Sequence, residues 1–358
     1  MPVTIEIDRS QRLDRGAARG HNRWHPDIPP VATVEPGDTV TLEIRDSRDR
    51  EITRESRHED MLELPALAHP LTGPIEVAGA QPGDVLELEV LDYETDDFGW
   101  TAIFPGAGFL PDVFAEPFVV KWELANGVAR SEQLPGVAVP ACTHAGVIGV
   151  APSQELFERA LARERALAER GGRAHLPDAE YAWPPEAAYG LRTYPPRENG
   201  GNIDIRDLGP GARLWLLVHV PGALLSVGDL HFAQGDGEVC IAAIETGGNA
   251  TFRVSLGSPG GWRPQFPAYQ APPRPERAMF ATTGIPLDDG GRQGDLDLNL
   301  ATRQALLELH GWLTTTRGLG REEAYVLMSV AAELRLSEVV DAPNALVSAA
   351  LPLDVFED

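Results

Sequence analysis

The chain has 358 residues, with 54 acidic against 30 basic side chains, a formal charge of −24 and an apolar share of 43%. Such a chain can bury one large core, or the cores of two intimate subdomains, without disulfide or metal staples. Its charge repels phosphate backbones and anionic lipid surfaces, so nucleic acid and membrane are poor partners.

The sequence has no run of about 18 apolar residues, and its polar N-terminus lacks the apolar middle of a secretory signal, so the expectation is a soluble, cytoplasmic protein. Cys142 and Cys240 have no metal-site or redox spacing. Of the 30 basic residues only Lys121 is a lysine. A mechanism needing a catalytic amine must therefore use that one residue.

From the N-terminus, "HNRWHPDIPP" (21–30) sets His21, Trp24, His25 and Asp27 on a loop pinned by prolines. Three units then repeat one idea, "VEPGDTVTLEIRDS" (34–47), "AQPGDVLELEVLDYE" (80–94) and "LGPGARLWLLVHV" (208–220). In each, Pro presets the first turn angle, Gly takes the positive φ of a type II turn, and an alternating strand follows. The alternation sends Val40, Leu42 and Ile44 to one face and Thr39, Thr41 and Glu43 to the other. "AHPLTGPIEV" (68–77) places His69 at a turn before a strand, and "PACTHAGVIGVAPS" (140–153) surrounds His144 with small residues.

A Ser-capped, Gly-Gly-terminated helix is expected over 153–172, followed by a proline-rich loop. "PPRENGGNIDIRDL" (195–208) offers Asn199, Asn202 and Asp204 around a Gly-Gly pair. In "LSVGDLHFAQGDGEVCIAAIE" (225–245), Asp236 and Glu238 fit an ordinary hairpin around Gly-Asp-Gly. Asp229, His231 and Glu245 instead sit among apolar residues, where carboxylates need a proton, a partner or a cation. "EVCIAAIE" and "TFRVSL" read as further strands, and two amphipathic helices close the chain, one in "LNLATRQALLELHGWLTTTRG" and one in "GREEAYVLMSVAAELRLSEVV". The fold class is α+β, mainly antiparallel β in sandwich- or barrel-like sheets, with a mid-chain helix and two C-terminal helices. Residues 1–358 read as a single unit in which 1–150 and 200–258 are β-rich and 259–358 partly helical.

Taken in order, "HNRWHPDIPP", "HPLTGPIEV", "AQPGDVLELEVLD", "PGVAVPACTHAGVIGVAPS", "ENGGNIDIRDL" and "VPGALLSVGDLHFAQGDGEV" resemble the acetamidase/formamidase family. The resemblance covers nearly the whole chain. It implies hydrolysis of short linear amides to ammonia and a carboxylate, a β-rich fold and a homo-oligomer. The first loop is similar to the formamidase branch, yet "IRDSRDREITRESRHEDM" lacks the glycine-rich, Trp-containing insert typical there.

For such a reaction, Lys121 lies in an alternating strand far from any Gly-Ser-rich loop, which leaves lysine-dependent amidase designs unsupported. A Cys142–His144 pair has no third group to orient it. Water activated by a cation or a carboxylate remains. The expectation is that His69, Asp204 and His231 hold a divalent metal, Zn²⁺ first and Ca²⁺ or Mg²⁺ as alternatives. Glu245 is then the general base, Asp229 orients His231, and Trp24, His25, Asp27, His144 and Asn199 shape the substrate pocket. The competing class is a non-catalytic β-sandwich that binds Ca²⁺ and a sugar or protein ligand.

Overall fold

A computed structural model describes residues 2–15, 19–64 and 67–357. Each proline-glycine unit turns as its sequence dictates: Gly37, Gly83 and Gly211 have φ of 100°, 91° and 88°. The turns close through Asp38 N–H to Glu35 O, Asp84 N–H to Gln81 O and Ala212 N–H to Gly209 O, each at 3.0 Å. The strands that follow, Thr39–Ile44, Val85–Thr95 and Arg213–Leu217, lie in one six-stranded sheet together with Gly248–Leu256. Val40, Leu42 and Ile44 are fully buried while Thr41 faces Thr251 across the sheet, its hydroxyl 2.9 Å away.

The inner face of that sheet packs on Ile75, Ile148, Leu225 and Val227 of a second, 11-stranded sheet. Most pairings in both sheets are antiparallel; Val3–Ile5 with Thr39–Ile44 and Ala32–Val34 with Leu71–Val77 are parallel. Among the described residues neither sheet closes into a barrel, so the architecture is α+β with open, mainly antiparallel sheets and three α-helices.

Helix α1 (Gln154–Glu169) starts where Ser153 accepts the N–H of Leu156 at 3.2 Å. Helices α2 (Leu298–Thr316) and α3 (Arg321–Ala331) share a core with Trp100, Val120 and Trp122, so residues beyond 259 pack onto the β-rich part. The last helix is shorter than its sequence period suggests. Glu333–Glu338 is a strand paired with Leu346–Pro352, because "LRLSE" alternates as a sheet surface does. Likewise, 234–243 is irregular turn structure, and only Ile244–Thr246 of the expected strand pairs. No helix among the described residues is long and apolar enough to cross a membrane.

Candidate active site

One row of the 11-stranded sheet carries the site. His144 pairs with His231, His231 with Glu245, and Glu245 with Trp100, so four adjacent strands deliver these residues side by side. A register shift between His231 and Ala233 then turns the chain inward. Asp229 holds φ of 61° within its strand and Asp204 holds 44° in the loop opposite. Positive φ on a non-glycine residue costs on the order of 1–3 kcal/mol, strain of the kind that clusters where side chains must be aimed.

What they aim at is one point. His231 Nε2 lies 3.3 Å from both Asp229 Oδ1 and Glu245 Oε1. Donor atoms of Asp204, Asp229 and His231 all fall within 4.8 Å of one another, as do those of His231, Glu238 and Glu245. Asp204 Oδ1, Asp229 Oδ1, His231 Nε2 and Glu245 Oε2 are buried and make no hydrogen bond. Gly146 permits this crowding: a Cβ there would stand 2.6 Å from Asp204 Oδ1, 2.7 Å from His231 Cε1 and 2.9 Å from Asp229 Oδ2.

The electrostatics repeat the message. Burial raises Asp204 to about 7, with Glu245 adding to the effect, and raises Asp229 and Glu238 well above the usual carboxylate range. Burial also opposes charge on His231, but Glu245 and Asp229 outweigh it and lift the imidazole well above its ordinary value. For Glu245, burial is overcome by His231, which keeps that carboxylate low. Carboxylates massed around one imidazole need compensating positive charge. An imidazole nitrogen and carboxylate oxygens, orphaned and mutually close, fit a divalent cation.

His231 is oriented from behind by Gln234. The Gln234 amide donates to Asp204 O at 2.8 Å, which turns Oε1 toward His231 Nδ1 at 2.9 Å. Nδ1 therefore donates, which leaves Nε2 facing the carboxylates, protonated while no cation is bound and free to offer its lone pair to one that replaces the proton. Asp229, expected to orient His231, lies instead on the Nε2 side with the other donors. His69 borders the group rather than joining it. Its Nε2 is 3.8 Å from Asp229 Oδ2, its N–H donates to Thr193 at 2.6 Å, and Nδ1 is buried without a hydrogen bond.

The other expected pocket residues are placed differently. His144 is fully buried behind His231, with its ring nitrogens 2.8 Å from Cys142 O and 2.9 Å from Gln234 Oε1. Its imidazole thus faces the backbone of Cys142, whose thiol points to Arg206 O, so the two form no nucleophilic dyad. Trp24 is core, packed with Leu71, Val147 and Leu191, and Asn199 spends its amide on Val150 O at 2.7 Å. His25 packs on Phe157 of α1, and the Asp27 side chain is 86% exposed. None of Trp24, His25, Asp27, His144 and Asn199 lines the cavity: Trp24, His144 and Asn199 are taken up by the core, His25 packs on α1, and Asp27 stands in solvent. Lys121 is also elsewhere, its Nζ bonded to the carbonyls of Arg54 and Ser56.

A cavity of about 980 Å³ opens onto the cluster. Asp204, Asp229, Glu238 and Glu245 meet it on one side, and Trp100, Phe104, Phe109, Tyr194 and Ile241 form much of its wall. His69 and Asn202 also line it, and Asn202 Oδ1 is buried without a hydrogen bond. Sequence reasoning missed Gln234, the need for Gly146 and the approach of Glu238 to His231 and Glu245. Gln234 follows the register shift between His231 and Ala233, and nothing in local spacing announces that shift.

The family model described as the Acetamidase/Formamidase family matches residues 6–358. A formamidase of Methylophilus methylotrophus is 34% identical, covering 100% of this chain and 94% of its own. An acetamidase of Mycolicibacterium smegmatis is 36% identical, over 91% of this chain and 89% of its own. Among solved structures, a gamma lactamase from Delftia acidovorans superposes with a TM-score of 0.95 at 35% identity, covering 100% of this chain and 94% of that one. The chain therefore belongs to the acetamidase/formamidase family.

Proposed function

We propose that the protein hydrolyses carboxamides, adding water across the C–N bond to release ammonia and a carboxylate. The observation that carries this reading is the orphaned group of Asp204, Asp229, His231 and Glu245 at an aromatic cavity. The full-length match to a formamidase and an acetamidase favours hydrolysis over a binding module.

Asp204, Asp229 and His231 would hold a divalent cation, which when bound supplies Lewis acidity toward the amide oxygen. The imidazole nitrogen in this set suits Zn²⁺ better than Ca²⁺ or Mg²⁺, which prefer all-oxygen sites. Glu245 and Glu238 divide the proton work, since their environments push them apart. Glu245, held ionised beside His231, takes a proton from the attacking water through its unpartnered Oε2. Glu238, kept protonated by burial, delivers one to the departing nitrogen. Asn202 Oδ1 accepts an N–H of the amide and fixes its orientation on the cavity wall.

The cavity is roomier than formamide requires, and its aromatic wall suits an apolar acyl group. Together with the gamma lactamase relative, this supports cyclic amides as a second substrate reading. Assembly as a homo-oligomer and a cytoplasmic location belong to the same proposal. Trp262, Phe266 and Tyr269, exposed by 56%, 60% and 43% beside an edge strand, support the former. The two free cysteines suit the latter.

Ammonia release from formamide, acetamide, propionamide and butyramide, together with amino-acid formation from a five-membered lactam, whose ring opens without freeing ammonia, tests the reading. Turnover of at least one amide, abolished in Glu245→Gln, is expected. Silence across the panel in protein loaded with a divalent ion would refute it.

A further inference from the structure

We infer that a second cavity behind the candidate site binds a small aliphatic carboxylate, whose presence is felt at the cluster through Gln234. This cavity, about 430 Å³, has Cys142, Arg206 and Gln234 on its wall. Arg206 is only 8% exposed, yet its Nε and Nη1 make no hydrogen bond among the described residues. Its nearest carboxylate oxygen, on Asp236, is 3.7 Å away. The two other arginines of the cavity are matched, Arg274 by Asp207 and Arg277 by Asp354, and Glu276 and Glu333 also line it, so the unbonded donors of Arg206 are its one anion-binding feature among the described residues. Buried guanidinium donors without acceptors favour an anion, and a flat carboxylate fits the guanidinium fork. Val139, Pro272 and Val330 make part of the remaining wall apolar, and the volume holds several carbons, so the ligand is a carboxylate with a short hydrocarbon tail.

The link to the cluster is direct. The same Gln234 amide that borders this cavity donates to Asp204 O and accepts from His231 Nδ1. An occupant that moves the amide therefore moves two members of the cluster. Amide hydrolysis generates this ligand class. Inhibition by product at a separate site rests on the proposed function, whereas binding does not.

Cys142 gives a local readout. It is half-buried on the cavity wall, while Cys240 is buried with its thiol pushed up to about 12 by that burial, so an uncharged disulfide reagent reports on Cys142. In the full-length protein at constant ionic strength, butyrate and hexanoate should slow labelling saturably, about tenfold at ten times Kd. Hexanoate should act at lower concentration than acetate, and chloride and inorganic phosphate should not protect. Arg206→Gln should lose the protection and Arg206→Lys keep part of it. Should Arg206→Gln not fold, the chain-length series on the unaltered protein decides. Labelling unchanged by hexanoate across its soluble range, or equal protection by phosphate, would overturn the site. If hexanoate protects and also lowers kcat for an amide at unchanged KM, the coupling through Gln234 stands. Protection without any effect on kcat would overturn that coupling and leave binding intact, and a protein inactive on every amide would count against the hydrolase reading alone.

Discussion

Gln234 accepts a hydrogen bond from Nδ1 of His231 at 2.9 Å, and this single contact decides which ring nitrogen faces the carboxylates. Removing the acceptor in Gln234→Leu frees the ring to flip or to carry its proton on Nε2 instead. Activity and metal retention should fall about 10–100-fold, the scale seen when partners behind a ligand are lost. Gln234→Glu keeps an acceptor and should recover part of the metal affinity. Ion content by elemental analysis, measured alongside kcat, separates this effect from simple misfolding.

Gly146 faces the opposite side of the same cluster. Gly146→Ala places a methyl group 2.6 Å from Asp204 Oδ1, so the carboxylates must retreat. Turnover should drop about 10²-fold, since displacement by an ångström can cost that much. Overpacking should reduce stability by only about 1–3 kcal/mol. A variant that unfolds, or one that keeps full activity, contradicts the role given to this glycine.

Much of this was legible in the residues. The proline-glycine turns and alternating strands, the Ser153 cap and the burden of Asp229, His231 and Glu245 among apolar neighbours all follow from local chemistry. The partition of roles did not. Asp229 reads as a partner for His231 because the two are two residues apart on a strand, yet its positive φ swings it to the Nε2 side. Trp24, His25 and Asp27 are polar or aromatic groups on a rigid loop, and a sequence gives no means of telling which wall that loop builds. The turn at 234–243 breaks the strand pattern because Gly235 and Gly237 and the positive φ values of Glu238 and Ile241 belong to a loop shaped around the cavity.

Ile241 is a β-branched residue held at φ of 75° and 46% exposed at that cavity. No local preference favours it there. Ile241→Gly should relieve strain on the order of 1 kcal/mol and leave thermal stability equal or higher. It should also raise KM for amides with longer acyl chains more than for formamide. Lower stability together with an unaltered chain-length profile would remove Ile241 from the substrate wall.

His21 provides a pH signature away from the cluster. Its ring is buried between Ser226 Oγ and Arg23 O, each at 2.7 Å, so Nδ1 donates to the carbonyl and Nε2 accepts from the hydroxyl. Burial lowers its pKa to about 4 from 6.5, with the Arg23 carbonyl opposing only in part. Between these values the unfolded chain binds the extra proton. Stability is therefore complete above 6.5 and declines as pH falls toward about 4, by up to about 3 kcal/mol from this residue. Denaturant unfolding across that window should show the slope, and His21→Asn should flatten it. A variant with the unaltered slope rules out this source.

The central claim is that the orphaned group of Asp204, Asp229, His231 and Glu245 holds a divalent ion on which amide cleavage depends. Elemental analysis combined with ammonia release, before and after chelation and re-addition of metal, addresses it most directly. The account predicts about one ion per chain, loss of turnover with the ion, recovery on re-addition, and an ion-poor, inactive Asp204→Asn variant. Full turnover by ion-free protein would contradict it.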